Sequence, residues 1–108
     1  MDFNSALSRY RAIIDSYDAL EFDDLHKTAE LMKDMAVVLS YITMERNNYK
    51  KAWNSVIFES GKTMSNAAAK ANADHQVPEL YESRRIHEAG KHILDTMRSQ
   101  VSLLKQEQ

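Results

Sequence analysis

Apolar residues recur at every third or fourth position through the middle of the chain: Leu25, Thr28, Met32, Met35, Leu39, Ile42, Arg46, Tyr49, Trp53 and Val56. That spacing lays side chains along one stripe of an α-helix, as an a/d seam of about five heptads. Neither proline nor glycine interrupts Asp24 to Ser60, so the pattern predicts one helix over 24–60, roughly 55 Å long at about 1.5 Å per residue. A chain of 108 residues cannot wrap a globule around such a rod. Part of the seam is therefore expected to pack against another copy or a partner.

Shorter stripes flank it. Leu7, Tyr10, Ile14 and Tyr17, widened by Phe3, Ala6, Ile13 and Leu20, predict a helix over 5–20. Glu21-Phe22-Asp23-Asp24 is a short break after which the first helix either folds back antiparallel beside the second, the favoured reading, or nearly continues into it, with Asp23 as the expected N-cap of the long helix. Gly61 fits the left-handed position that ends many helices. An alanine-rich helix over 66–73 follows, capped by Thr63 or Ser65, and then a loop from Asp74 to Val77. Pro78 suits the first position of a last helix over 78–105, striped by Leu80, His87, Gly90, Leu94, Met97, Val101 and Leu104. Gly90 in mid-helix costs about 1 kcal/mol relative to alanine, which predicts a close approach by a neighbouring helix. The expected fold is all-α: a single domain, an elongated antiparallel helical hairpin or three-helix bundle around one long, coiled-coil-like central helix.

Composition narrows the chemistry. Two glycines and one proline leave almost no turn residues for a β-rich fold. The chain has no cysteine, which removes disulfides, thiolate metal sites and cysteine nucleophiles and suits a cytoplasmic protein. Met1-Asp2-Phe3-Asn4 does not read as a signal peptide, and no apolar run is long enough to span a membrane. Net charge is −2, but unevenly spread: residues 1–34 carry −4, residues 44–70 carry +3, and no charge falls between Met35 and Met44. Such polarity points to an interaction surface.

The candidate chemistry is sparse. His87 and His92 are five residues apart and do not share a helix face, so no metal site is expected. No glycine-rich phosphate loop or nucleophile elbow is present, and neither an enzyme nor a cofactor is expected. The segment Arg46–Lys62 interleaves Arg46, Tyr49, Lys50, Lys51, Trp53, Phe58 and Lys62, the mixture that neutralises phosphates and stacks on unpaired bases. The plainer alternative makes Tyr49, Trp53 and Val56 core and the lysines a solvated face. Arg46 on the seam needs a partner, expected to be an acid of a neighbouring subunit or a phosphate. Lys62, Lys70, Arg84 and Arg85 together would extend the basic end of the rod; the alternative pairs the two arginines with Glu82 and Glu88.

From the middle of the long helix onward, the run Tyr49-Lys50-Lys51-Ala52-Trp53, the stop Glu59-Ser60-Gly61, the segment Asn72-Ala73-Asp74-His75-Gln76-Val77 and the closing helix through Ile93-Leu94-Asp95-Thr96-Met97-Arg98-Ser99 are similar to small helical proteins of tailed phages. The chain resembles the UvsY-like recombination mediators in particular. The resemblance implies an oligomeric accessory protein that binds single-stranded DNA and helps load a recombinase. It implies that Arg46, Lys50, Lys51 and Lys62 face DNA and that the last helix builds a homo-oligomer. The acidic first 34 residues depart from that pattern and would confine DNA to one end.

Three functional expectations follow. The first is a DNA-metabolism accessory factor. The second is an interaction module, such as a phage inhibitor of a host or defence protein, acting through the acids Asp15, Asp18, Glu21, Asp23 and Asp24. The third is a structural coiled-coil adaptor.

Overall fold

The computed structural model describes residues 1–107 and is all-helical. Four helices follow in order: α1 (Phe3–Asp18), α2 (Leu25–Ser60), α3 (Asn66–Gln76) and α4 (Glu79–Gln106). They form a rod of 64 × 23 × 18 Å. Helix α2 is the axis, and α1 and α4 both pack antiparallel to it. Phe3 meets Tyr49 edge-on at 5.5 Å, while Ile13 lies beside Leu31 and Val38. Arg46 meets His87, and Leu39 meets Gly90. Helix α3 folds back along the last turns of α2, and α4 carries the return on to the other end.

Because α3 and α4 lie end to end, they match the length of α2. None of the ten seam residues is exposed. Within the chain the seam is covered in part: Thr28, Met35, Leu39 and Ile42 are buried, while Leu25, Met32, Arg46, Tyr49, Trp53 and Val56 are half-buried.

The main core joins Met35, Val38, Leu39 and Ile42 of α2 to Ile86, Leu94 and Met97 of α4, with Phe3, Ala6, Leu7, Tyr10 and Ile13 of α1 closing one side. Gly90 lies where the three helices meet. A Cβ there would come within 2.5 Å of Leu39 Cδ2 and 3.1 Å of Tyr10 Cε2, so the expected close approach is present. Beyond Tyr49 the bundle thins to two layers. There Ala69, Ala73, Val77 and Leu80 are buried, but Trp53, Val56 and Ile57 are only half-buried.

Helix boundaries shift where caps decide them. Asp2 caps α1 by accepting the Ser5 amide at 2.7 Å, which moves the start from 5 to 3. Asp24 caps α2, accepting the Lys27 amide at 3.0 Å, in the place expected of Asp23. Gly61 does not adopt the left-handed conformation: its φ is −65° and ψ −14°, and the chain turns on through Thr63 and Met64 amides donating to the Ser60 carbonyl. Helix α3 continues through the segment expected to be a loop, because Gln76 donates to Asn72, Asn72 donates to Ser60, and Asp74 receives Trp53. It stops at Val77, whose backbone is turned from the helical region by the following Pro78.

Candidate nucleic-acid interface

Trp53 organises the thin end of the rod. Its indole N–H donates to Asp74 Oδ1 at 2.8 Å, which fixes the ring across the α2–α3 contact. One turn back along α2, Lys50 places its ammonium 4.4 Å from the ring centroid, a cation–π geometry. The choice between core and surface therefore resolves as neither: the indole is half-buried, and both its N–H and one face are engaged.

Trp53, Asp74, Val77, Pro78, Leu80, Tyr81 and Arg84 enclose an open groove of about 360 Å³. Pro78 and Glu79 start α4 so that Tyr81 and Arg84, three residues apart, share one flank beside Trp53. Tyr81 is 75% exposed, far more than a packed tyrosine. Lys70 lies on α3 one turn before Asp74 and is exposed. Two aromatic rings and an arginine thus line the cleft together with Asp74, and Lys50 lies over one of the rings, a set that can admit a flat ring and a phosphate.

The basic residues expected to act together are sorted by this geometry. Arg84 lines the groove, Lys50 lies over the Trp53 ring, and Lys70 is exposed on α3 one turn from Asp74. Lys51, roughly 100° further round α2 than Lys50, is exposed on the back of the helix. Lys62 pairs with Glu59 at 3.2 Å and lies 5.1 Å from the Phe58 ring. Arg85, roughly 100° round α4 from Arg84, lines a different hollow with Leu7, Tyr10 and Arg11. Neither arginine forms an ion pair with Glu82 or Glu88 among the described residues.

Arg46 faces inward. Its Nη1 donates to His87 Nδ1 at 3.3 Å, a bond that requires an unprotonated Nδ1. Burial pushes the His87 pKa below its ordinary value, and the charges of Arg46 and Lys91 push it further, with Glu88 opposing. Within the chain, the partner of Arg46 is therefore a histidine.

Two acidic regions bound the interface. Asp2, Glu45, Glu79 and Glu82 surround Tyr49 on the α1 side; burial and then these carboxylates raise the Tyr49 pKa. At the far end of the rod, Asp15, Asp18, Glu21 and Asp23 are exposed, while Asp24 is taken up in capping α2. Sequence reasoning missed Tyr81, Asp74 and the Tyr49 carboxylates. Only the three-residue spacing of Tyr81 and Arg84 after Pro78 was available as a signal for them.

Among the described residues, no group of three or more histidines and carboxylates could hold a metal ion, and no helix is long and apolar enough to cross a membrane. No protein-family model matches the chain, and neither a curated protein nor a solved structure matches it.

Proposed function

We propose that this chain is a non-enzymatic accessory protein of DNA metabolism that binds single-stranded DNA at the thin end of its rod. One observation carries the reading: Lys50 lies over Trp53 beside a groove that also presents the exposed ring of Tyr81 and the guanidinium of Arg84. Unpaired bases stack on aromatic rings with little regard to sequence, and lysine and arginine neutralise the phosphates between them. Duplex DNA hides its base faces, so single strands fit this groove better. The resemblance to recombination mediators points the same way and adds a recombinase as the protein partner.

The carboxylates around Tyr49 set a limit. They repel a phosphate backbone on the α1 side, so a bound strand runs past Arg84 and Lys50 at the Trp53 groove. Titration of a labelled oligonucleotide at two salt concentrations tests the reading. Absence of binding at low salt would turn it toward the acidic far end, as a surface that docks on a basic protein.

A further inference from the structure

At the far end, the link between α1 and α2 holds an aromatic ring out in solvent. Phe22 is 65% exposed, although the link that carries it is firmly tied. Gln100, buried on α4, donates from Nε2 to the Phe22 carbonyl at 2.7 Å, and Tyr17 donates its hydroxyl to Gln100 Oε1 at 2.6 Å. The Asp24 amide donates to the Glu21 carbonyl, closing the turn. A ring displayed on a pinned turn keeps little freedom to lose on docking, the property of an anchor residue. Asp15, Asp18, Glu21 and Asp23 are exposed on the same helix end and link, and no basic residue occurs between Ala12 and Leu25.

The opposite end of the rod offers the complement. The groove beside Trp53 is aromatic, open, about 360 Å³ in volume and therefore wide enough for a phenyl ring. Its charged rim is basic: Arg84 lines it and Lys50 covers the indole. Its one carboxylate, Asp74, is already held by the indole N–H. The two ends cannot meet within one molecule, because Leu25 and Trp53 are separated by roughly 42 Å of helix.

We propose that the Phe22 tip of one copy seats in the Trp53–Tyr81–Arg84 groove of another, linking copies head to tail. The contact is heterologous: each subunit spends one end and leaves the other free, so chains or rings grow by repetition. A single knob in a groove buries less than the roughly 1,200 Å² of a stable interface, so the link is weak, and its charges make it salt-sensitive. The inference does not rest on nucleic-acid binding, although a base and the Phe22 tip would contend for the same groove.

Sedimentation velocity of the full chain over a concentration series, at about 50 and about 300 mM salt, tests it. Wild-type protein is expected to form dimers and larger species at low salt and to dissociate at high salt. Phe22→Ser leaves the groove intact, and Tyr81→Ala with Arg84→Glu leaves the tip intact. All three positions are exposed, and circular dichroism checks that each variant remains helical. Each variant alone is expected to associate at least about tenfold more weakly than wild type, as loss of an anchor residue does. An equimolar mixture of the two restores one productive contact and stops at a 1:1 dimer. Wild-type protein that stays monomeric at low salt, a Phe22→Ser variant that associates like wild type, or a mixture that stays monomeric would each overturn the proposal.

Discussion

The ammonium of Lys50 lies 4.4 Å from the centre of the Trp53 ring, whose indole N–H is bound to Asp74. Lys51, the next residue, is exposed on the back of the same helix. The two lysines look equivalent in sequence but stand in different places relative to the groove. Lys50→Glu is therefore expected to weaken single-stranded DNA binding by at least about tenfold, and Lys51→Glu much less. Anisotropy titration of the two variants side by side checks this; equal losses would move the interface off the Trp53 groove.

Trp53→Ala removes a half-buried ring at the thin end of the bundle. Its cost is expected to be about 1–3 kcal/mol, below the value for a ring sealed in a core. Trp53→Phe keeps a ring against Lys50 and loses the bond to Asp74, for a cost of about 1 kcal/mol. Urea denaturation distinguishes the two. A loss near 5 kcal/mol for alanine would mean that the indole is core.

At Gly90, helix propensity and packing oppose each other. Alanine is the better helix former by about 1 kcal/mol, but its Cβ would lie 2.5 Å from Leu39 Cδ2. Leu39 is itself buried and has little room to move. Gly90→Val, which adds bulk toward both Leu39 and Tyr10, is expected to lower stability by about 1–3 kcal/mol through overpacking. Unchanged thermal unfolding of that variant would show the three-helix crossing to be looser than described.

The burial of His87 beside Arg46 makes stability depend on pH. The His87 pKa is lowered in the folded chain, by burial first and then by Arg46 and Lys91. Between the folded value and the ordinary 6.5, the unfolded chain binds more protons, so stability rises with pH across that window. The contribution is complete above 6.5 and is lost as pH falls toward the folded value. Arg46→Met removes the nearby cation and is expected to raise the His87 pKa toward 6.5, read from its ring protons by NMR. An unmoved titration would mean that Arg46 does not act on His87.

The long seam was legible because its period is local: each of its ten residues can be placed by counting threes and fours. The close approach at Gly90 was legible for a similar reason, since a mid-helix glycine asks for an explanation. Cap choice was less so, because Asp23 and Asp24 are adjacent and only backbone geometry decides between them. The partner of Arg46 was not legible at all. His87 lies 41 residues away, and no spacing rule reaches across a hairpin whose register is unknown. Arg84 and Arg85 read in sequence as part of one basic end, but adjacent residues diverge by roughly 100° around a helix, and which side α1 covers depends on the bundle. That placement sends Arg84 to the Trp53 groove and Arg85 to Tyr10. Charge counting grouped the basic residues at one end of the rod, yet it could not show that Lys62 is paired, that Arg85 lines a hollow beside Tyr10 or that Tyr81 completes the groove.

The most direct test of the nucleic-acid reading is fluorescence anisotropy of a labelled single-stranded oligonucleotide titrated with the wild-type chain at about 50 and about 200 mM salt. The groove of Trp53, Tyr81, Lys50 and Arg84 predicts binding at the lower salt that weakens steeply at the higher, and quenching of the Trp53 emission as bases stack on it. No binding at the lower salt, or binding that leaves Trp53 emission unchanged, would contradict it.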